Sequence, residues 1–233
     1  MERLWQDLRY GARMLFKNPG FTAVAMLTLA LGIGATTAIF SVAYGVLLRP
    51  LPYPQADRIL DLREVNDRGG RMHFADTNFE DIRSDSHSFQ GVAEYSAWME
   101  SVTGASEPTR TIVARVSRDF FPLMRVAPAL GRGFASDDQR FGAAPVALVS
   151  YAYWQQYLGG TSDLGKIKLT IENHACALIG VLPSGFRFPE GSYIWVPREL
   201  FERLPSRTAH NWHVLARLRD GVTLAQAHTE LTG

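Results

Sequence analysis

From Phe21 to Leu48 the chain reads FTAVAMLTLALGIGATTAIFSVAYGVLL, about 28 residues without one charged side chain, where a membrane-spanning helix needs only ~20. As a helix this stretch would be roughly 42 Å long against a hydrocarbon core of ~30 Å, so it can tilt or run into the headgroup layer. A cleaved signal peptide is the competing reading, but its apolar region runs to only ~7–15 residues, and no A-x-A site ends the stretch. Residues 21–48 are therefore read as a transmembrane helix.

The flanks set its orientation. Arg3, Arg9, Arg13 and Lys17 precede the span against Glu2 and Asp7, which places the N-terminus in the cytoplasm and everything after Arg49 outside the plasma (inner) membrane. Within residues 1–20, a helical projection puts Leu4, Trp5, Leu8, Gly11, Ala12, Leu15 and Phe16 on one arc and Arg3, Gln6, Asp7, Arg9, Arg13 and Lys17 on the other. This predicts an amphipathic helix on the inner membrane surface, with lipid as the partner of Leu4, Trp5, Leu8, Leu15 and Phe16. Asn18-Pro19-Gly20 is expected to break it. The helix either fixes orientation only or also docks a partner. Inside the span Ala30, Gly34, Ala38, Ser41 and Gly45 recur at helical spacing and offer a face of small residues to another helix. Small residues are common in spans, so a plain anchor with a chance face is the alternative.

Composition bounds the remainder. The 233 residues carry 24 basic and 23 acidic side chains, a net charge of +1 and 11% aromatics, which fit a folded domain rather than a disordered one. No basic excess is available to neutralise phosphates, so no nucleic-acid partner is expected. The single cysteine, Cys176, excludes an internal disulfide framework and a zinc site of several thiolates. The mean hydropathy of −0.07 averages a charge-free span with a strongly charged domain.

Beyond the membrane, residues 49–54 (RPLPYP) read as a stiff proline-rich spacer. The region 55–233 alternates strand and helix signals and is read as α+β. Strands are expected at Arg58–Val65, Val92–Val102, Thr109–Val116, Pro145–Val149, from Ile167 through Ile171, and at Ala175–Leu182 and Trp212–Leu218. Capping signals at Thr77-x-x-Glu80, Ser117, Ser150 and Thr223-x-x-Gln226 predict helices after each, the third stopped by Gly159-Gly160. Strand, helix, strands, an inserted α/β region, then strand and helix is a split βαβ order short of its last strand.

No catalytic constellation emerges. His210 and His213 suit a metal only on a helix, and here they enter a strand that turns them to opposite faces. His174 and Cys176 share a strand face, but no third group orients a base, and buried free cysteines are common. Gly32-Ile33-Gly34 lies inside the span and follows no strand, so it is no dinucleotide loop. Asp137-Asp138 reads as a solvated turn. Tyr151, Tyr153, Trp154 and Tyr157 on one helix read as core rather than as a ligand cage. No enzyme activity, cofactor or metal is expected.

The opening DLRYGARMLFKNPGFTAVAMLTLALGIGATTAIFSVAYGVLLRPLPYPQADRIL resembles the start of bacterial FtsX-like ABC transporter permeases with a MacB-like periplasmic core domain. The blocks PVALVSYAYWQQYLGG, LGKIKLTIENHACALIGVLPSGFRFPEGSYIWVPREL and NWHVLARLRDGVTLAQAHTEL resemble that core domain in the family's order. The resemblance implies a two-lobed core over 55–233: a porter-like lobe at about 55–120 and 208–233, interrupted by an inserted lobe at about 121–207. It also implies a cytoplasmic ABC ATPase subunit as partner, a homodimer or permease pair, and a periplasmic partner. Family members continue into further membrane helices, so this chain is read as a permease subunit or its N-terminal part. A single-pass membrane-anchored binding or sensor domain is the rival reading.

Overall fold

The computed structural model describes residues 2–43, 54–201 and 205–232. It divides into two units, Met1–Leu51 and Pro52–Gly233.

The first unit is two helices, α1 (Glu2–Lys17) and α2 (Pro19–Ala43). The expected break narrows to Asn18 alone, because proline is well tolerated at the first helical position, where its missing N–H has no intrahelical acceptor. Asn18 closes one helix and opens the next: its amide donates to the Leu15 carbonyl (3.3 Å), and its own carbonyl accepts from the Thr22 N–H (3.0 Å). Pro19–Ser41 is long and apolar enough to cross a membrane and buries none of its side chains within the structure. Ala30, Gly34, Ala38 and Ser41 are exposed along it. Gly45 lies outside the described residues. Trp5, Leu15 and Phe16 are exposed on α1, and the side chains of Leu4 and Leu8 are not among those described.

The second unit is built on a ten-stranded sheet. In chain order its elements are β1 (Ile59–Leu62), β2 (Glu64–Val65), β3 (Arg71–Met72), β4 (Phe74–Ala75), α3 (Asp76–Asp85), β5 (Phe89–Thr103), β6 (Thr109–Val116), α4 (Phe120–Met124), β7 (Leu130–Gly131), β8 (Val146–Val149), α5 (Tyr151–Tyr157), β9 (Lys168–Ile171), β10 (His174–Val181), β11 (Ser192–Pro197), β12 (His210–Leu218) and α6 (Leu224–Thr232). The strand order is β1-β12-β5-β6-β11-β8-β10-β7, with β4 on β12 and β9 against both β10 and β5, while β2 and β3 form their own small ribbon.

The long β5–β6 hairpin carries the architecture. Its pairing runs from Tyr95↔Val116 to Val102↔Thr109. The base packs with α4, Trp195 and Leu215, whereas at the far end Val102 and Val113 join the core of Val149, Ile171, Val181 and Ile194. A third cluster, with Phe79, Val92, Val214 and Ala227, lies under α3 and α6. The expected porter-like and inserted lobes thus share one hairpin and one sheet. Fully buried side chains such as Trp195, Phe79 and Ile194 contribute about 1.5–3 kcal/mol each to holding it together.

Three local expectations need correction. The strand expected over Arg58–Val65 splits after Leu62, where Arg63 turns to bond Asp61 (3.0 Å) and the His73 ring (2.5 Å). Helix α3 starts at Asp76 with Ala75 at its cap, because its first amides find remote acceptors: Ala75 N–H bonds Glu64 Oε1 (2.9 Å) and Thr77 N–H bonds the Ser206 carbonyl (3.3 Å). Ser117 caps no helix; its hydroxyl accepts from the Glu94 N–H (3.0 Å). By contrast, Ser150 accepts from Tyr153 N–H (3.1 Å), and Thr223 and Gln226 bond each other's amides (2.8 and 3.3 Å).

Candidate polar cleft

Strand alternation places Glu94, Ser96, Trp98 and Glu100 on one face of β5. The register sets Arg115 of β6 opposite Ser96, and β11 brings Val196 beside Arg115, so Arg198 emerges on the same face two residues later. This polar stripe floors an open cleft of about 610 Å³, walled by Asp76 of α3, Glu172 of the β9–β10 turn, Phe201, and Asn211 and Trp212 of β12.

Two arginines organise the floor, each between two carboxylates and against one aromatic ring. Arg198, 7% exposed, donates to Asp76 Oδ1 (2.5 Å), ion-pairs with Glu94, and lies over the Trp212 ring at 4.9 Å. Glu94 is 0% exposed. Nearer the rim, Arg115 Nη2 donates to Glu100 Oε1 (3.1 Å) and Glu172 Oε1 (2.7 Å), with its guanidinium 3.6 Å from the Phe201 ring centre. Glu172 and Asn173 form the two-residue turn between β9 and β10, with φ of 43° and 70°. Both values lie in the left-handed region that such hairpin turns require, a mild strain for glutamate that holds it over Arg115.

Burial, followed by Glu172 beside it, raises the Glu100 pKa against the lowering effect of Arg115. A carboxyl whose folded-state pKa exceeds its unfolded value binds its proton more readily when folded. Its contribution to stability therefore rises as pH falls through that raised value and levels off below the ordinary glutamate value. Glu100→Gln is expected to flatten this rise, read as the urea midpoint from about pH 7 down to about pH 4.

The histidines and the cysteine fall elsewhere. His210 contacts Glu64 Oε2 (3.1 Å) and the His73 carbonyl (2.9 Å), while the His213 ring sits between His73 (4.1 Å) and Tyr95 (4.9 Å). Among the described residues no group of three or more His, Cys, Asp or Glu is arranged to hold a metal. His73, which no sequence pattern singled out, joins His210 and His213 through the β4–β12 pairing. His174 packs on Phe201 (5.5 Å). Cys176 is buried, and burial pushes its thiol up to about 12, which leaves little thiolate for nucleophilic chemistry. Tyr153 is core, with its hydroxyl 3.0 Å from Thr109 Oγ1. Asp138 is no plain solvated turn: Arg132 and the Ala135 N–H bond its carboxylate.

The sequence matches the family model described as MacB-like periplasmic core domain over residues 22–233. No curated protein matches it in sequence. Its structure is similar to the periplasmic region of MacB from Actinobacillus actinomycetemcomitans, with a TM-score of 0.58 at 14% identity over 75% of this chain and 81% of that one. It is also similar to the extracellular domain of the noncanonic ABC-type transporter YknZ from Gram-positive bacteria, with a TM-score of 0.57 at 16% identity over 74% of this chain and 88% of that one. Identities this low speak to the fold.

Proposed function

Since the chain belongs to the family of MacB-like periplasmic core domains, we propose that it is the permease subunit, or the N-terminal part of one, of an ABC-type export or mechanotransmission system. In this reading α1 lies on the cytoplasmic side, α2 crosses the inner membrane, and the second unit works outside it. A separate cytoplasmic ATPase drives movement of the outer lobes, and a homodimer or permease pair assembles through the small-residue face of α2. The chain transmits movement and catalyses nothing itself.

The observation that carries this reading is the continuity of the family match from the apolar helix through the sheet domain. The cleft supports it. The Arg198 and Arg115 clusters tie α3, β5, β6, β11 and the β9–β10 turn together where the two lobes adjoin, which is where a transmitter needs a defined articulation. The test is to co-express the intact reading frame with its neighbouring ATPase. Co-purification with stimulated ATP hydrolysis is expected, and absence of any association would overturn the proposal.

The helix face has its own prediction. Apart from the helix's own backbone and the adjoining residues, nothing lies within 4 Å of a Cβ placed at Gly34, so Gly34→Leu with Ala38→Leu meets no obstacle within α2. The pair is expected to cut co-isolation of two differently tagged copies at least fivefold, because close approach of helices in lipid depends on small residues. A single-pass anchor with a binding or sensor domain would lose nothing.

A further inference from the structure

We propose that the free edge of β5 between Ala97 and Ser101 is a strand-addition site for an extended peptide segment of a partner protein. The segment runs antiparallel to β5 and carries a cationic side chain two residues before an apolar one. This goes beyond the permease reading and does not depend on it.

One side of β5 is paired with β6 along this whole stretch. On the other side β12 covers Phe89 to Tyr95 and β9 covers only Val102 and Thr103. Between them, from Ser96 to Ser101, no strand lies against β5 among the described residues. The gap exists because β12 bulges between His210 and Trp212 and turns to pair with β4.

The open backbone groups can be assigned. The Glu94 carbonyl accepts from Ser117 N–H (3.0 Å), and the Glu94 N–H donates to Ser117 Oγ, so Glu94 faces β6. Antiparallel alternation then turns Tyr95 toward β12, and Ala97, Met99 and Ser101 toward the gap. Trp98 is 54% and Met99 53% exposed. An edge of this kind, unprotected by proline or lysine, is a template for another strand. At ~3.4 Å per residue the opening holds about five residues.

Direction and chemistry follow from the walls. Both flanking strands, β12 and β9, run antiparallel to β5, so a strand that continues the sheet does too. Its side chains opposite Glu100 and Trp98 enter the cleft. The first meets Glu100 and Glu172, two carboxylates that share the single Nη2 of Arg115, and a lysine or arginine there supplies the missing charge. The second meets the Trp98 face. In the antiparallel direction the cation comes first, which gives the pattern basic, any, apolar.

The test uses the full chain in detergent and a fluorescent nine-residue peptide with Lys-Thr-Val at its centre, followed by anisotropy. Methylating the backbone nitrogen of the central threonine, or replacing the lysine by glutamate, is expected to weaken binding at least tenfold. Met99→Pro removes an outward N–H without touching the β6 ladder and is expected to do the same, with the fold checked by circular dichroism. Equal binding of parent and methylated peptides, or no binding of the parent, overturns the proposal. So does self-association of the chain that Met99→Pro abolishes, because the occupant would then be a second copy. Peptide binding needs no ATPase, so this proposal and the permease reading can fail separately.

Discussion

Replacing Arg198 by methionine is expected to destabilise the sheet domain by about 3–5 kcal/mol, the loss found when one member of a buried ion cluster is removed. For a domain of this size that lowers Tm by roughly 6–20 °C, at ~2–4 °C per kcal/mol. The effect is large because Arg198 is a counter-charge to both Asp76 and Glu94, which are 5% and 0% exposed. Without it, Glu94 is left charged beside Asp76 in a poorly solvated site. A triple variant, Arg198→Met with Asp76→Asn and Glu94→Gln, is expected to recover more than half of the loss, since desolvating the charges is what the single variant leaves uncompensated. Thermal unfolding of both variants checks this. If the single variant loses less than 1 kcal/mol, the cluster does not hold α3 to β11.

The second large effect is expected at Arg217, which is 2% exposed and has no carboxylate at ion-pair distance among the described residues. It works instead as a donor to three carbonyls: Leu123 (2.6 Å), Gln55 (3.1 Å) and Pro54 (3.1 Å). Burial, then the nearby Arg125 and Arg58, lowers its pKa. The contacts join α4 and β12 to residues 54 and 55, near the start of the second unit. Arg217→Met is expected to lower stability by about 2–4 kcal/mol, as orphaned buried carbonyls cost ~1–3 kcal/mol each and the two near the surface recover water. Arg217→Lys recovers little, because a compact ammonium cannot reach three acceptors that a planar guanidinium spans. Amide hydrogen exchange should show the loosening first around Leu123 and Ala56.

The parts of this fold written in local patterns were readable in the sequence. The charge-free run announces its helix, Ser150 and the Thr223-Gln226 pair announce helix starts, and alternation from Ile167 to Ile171 announces a half-buried strand. The parts decided by remote partners were not. Nothing within the strand expected at Val92–Val102 singles out Glu94, and only α3 and Arg198, 122 residues from Asp76, make it a buried charge. Strand β11 is buried almost throughout, so SYIWVP shows no alternation to mark it. The open edge at Ala97, Met99 and Ser101 depends on where β12 turns away, which no pattern within β5 encodes. The Asn18-Pro19-Gly20 break is present but narrows to Asn18 for a local reason, proline at the first position of a helix being compatible with it.

In the proposed permease, the lobes of the second unit move in response to ATP on the far side of the membrane. The direct measurement is the distance between spin labels at Lys166→Cys, by β9, and Ala225→Cys, on α6, in the intact permease assembled with its ATPase. Both positions are exposed, and the native Cys176 is buried with its thiol pushed up to about 12, so it will not compete for label. A distance distribution that shifts on ATP binding and returns after hydrolysis is expected, with no shift when the ATPase cannot bind nucleotide. A single distribution, unchanged by ATP in a complex that hydrolyses it, would show that the lobes do not move and overturn the transmitter reading.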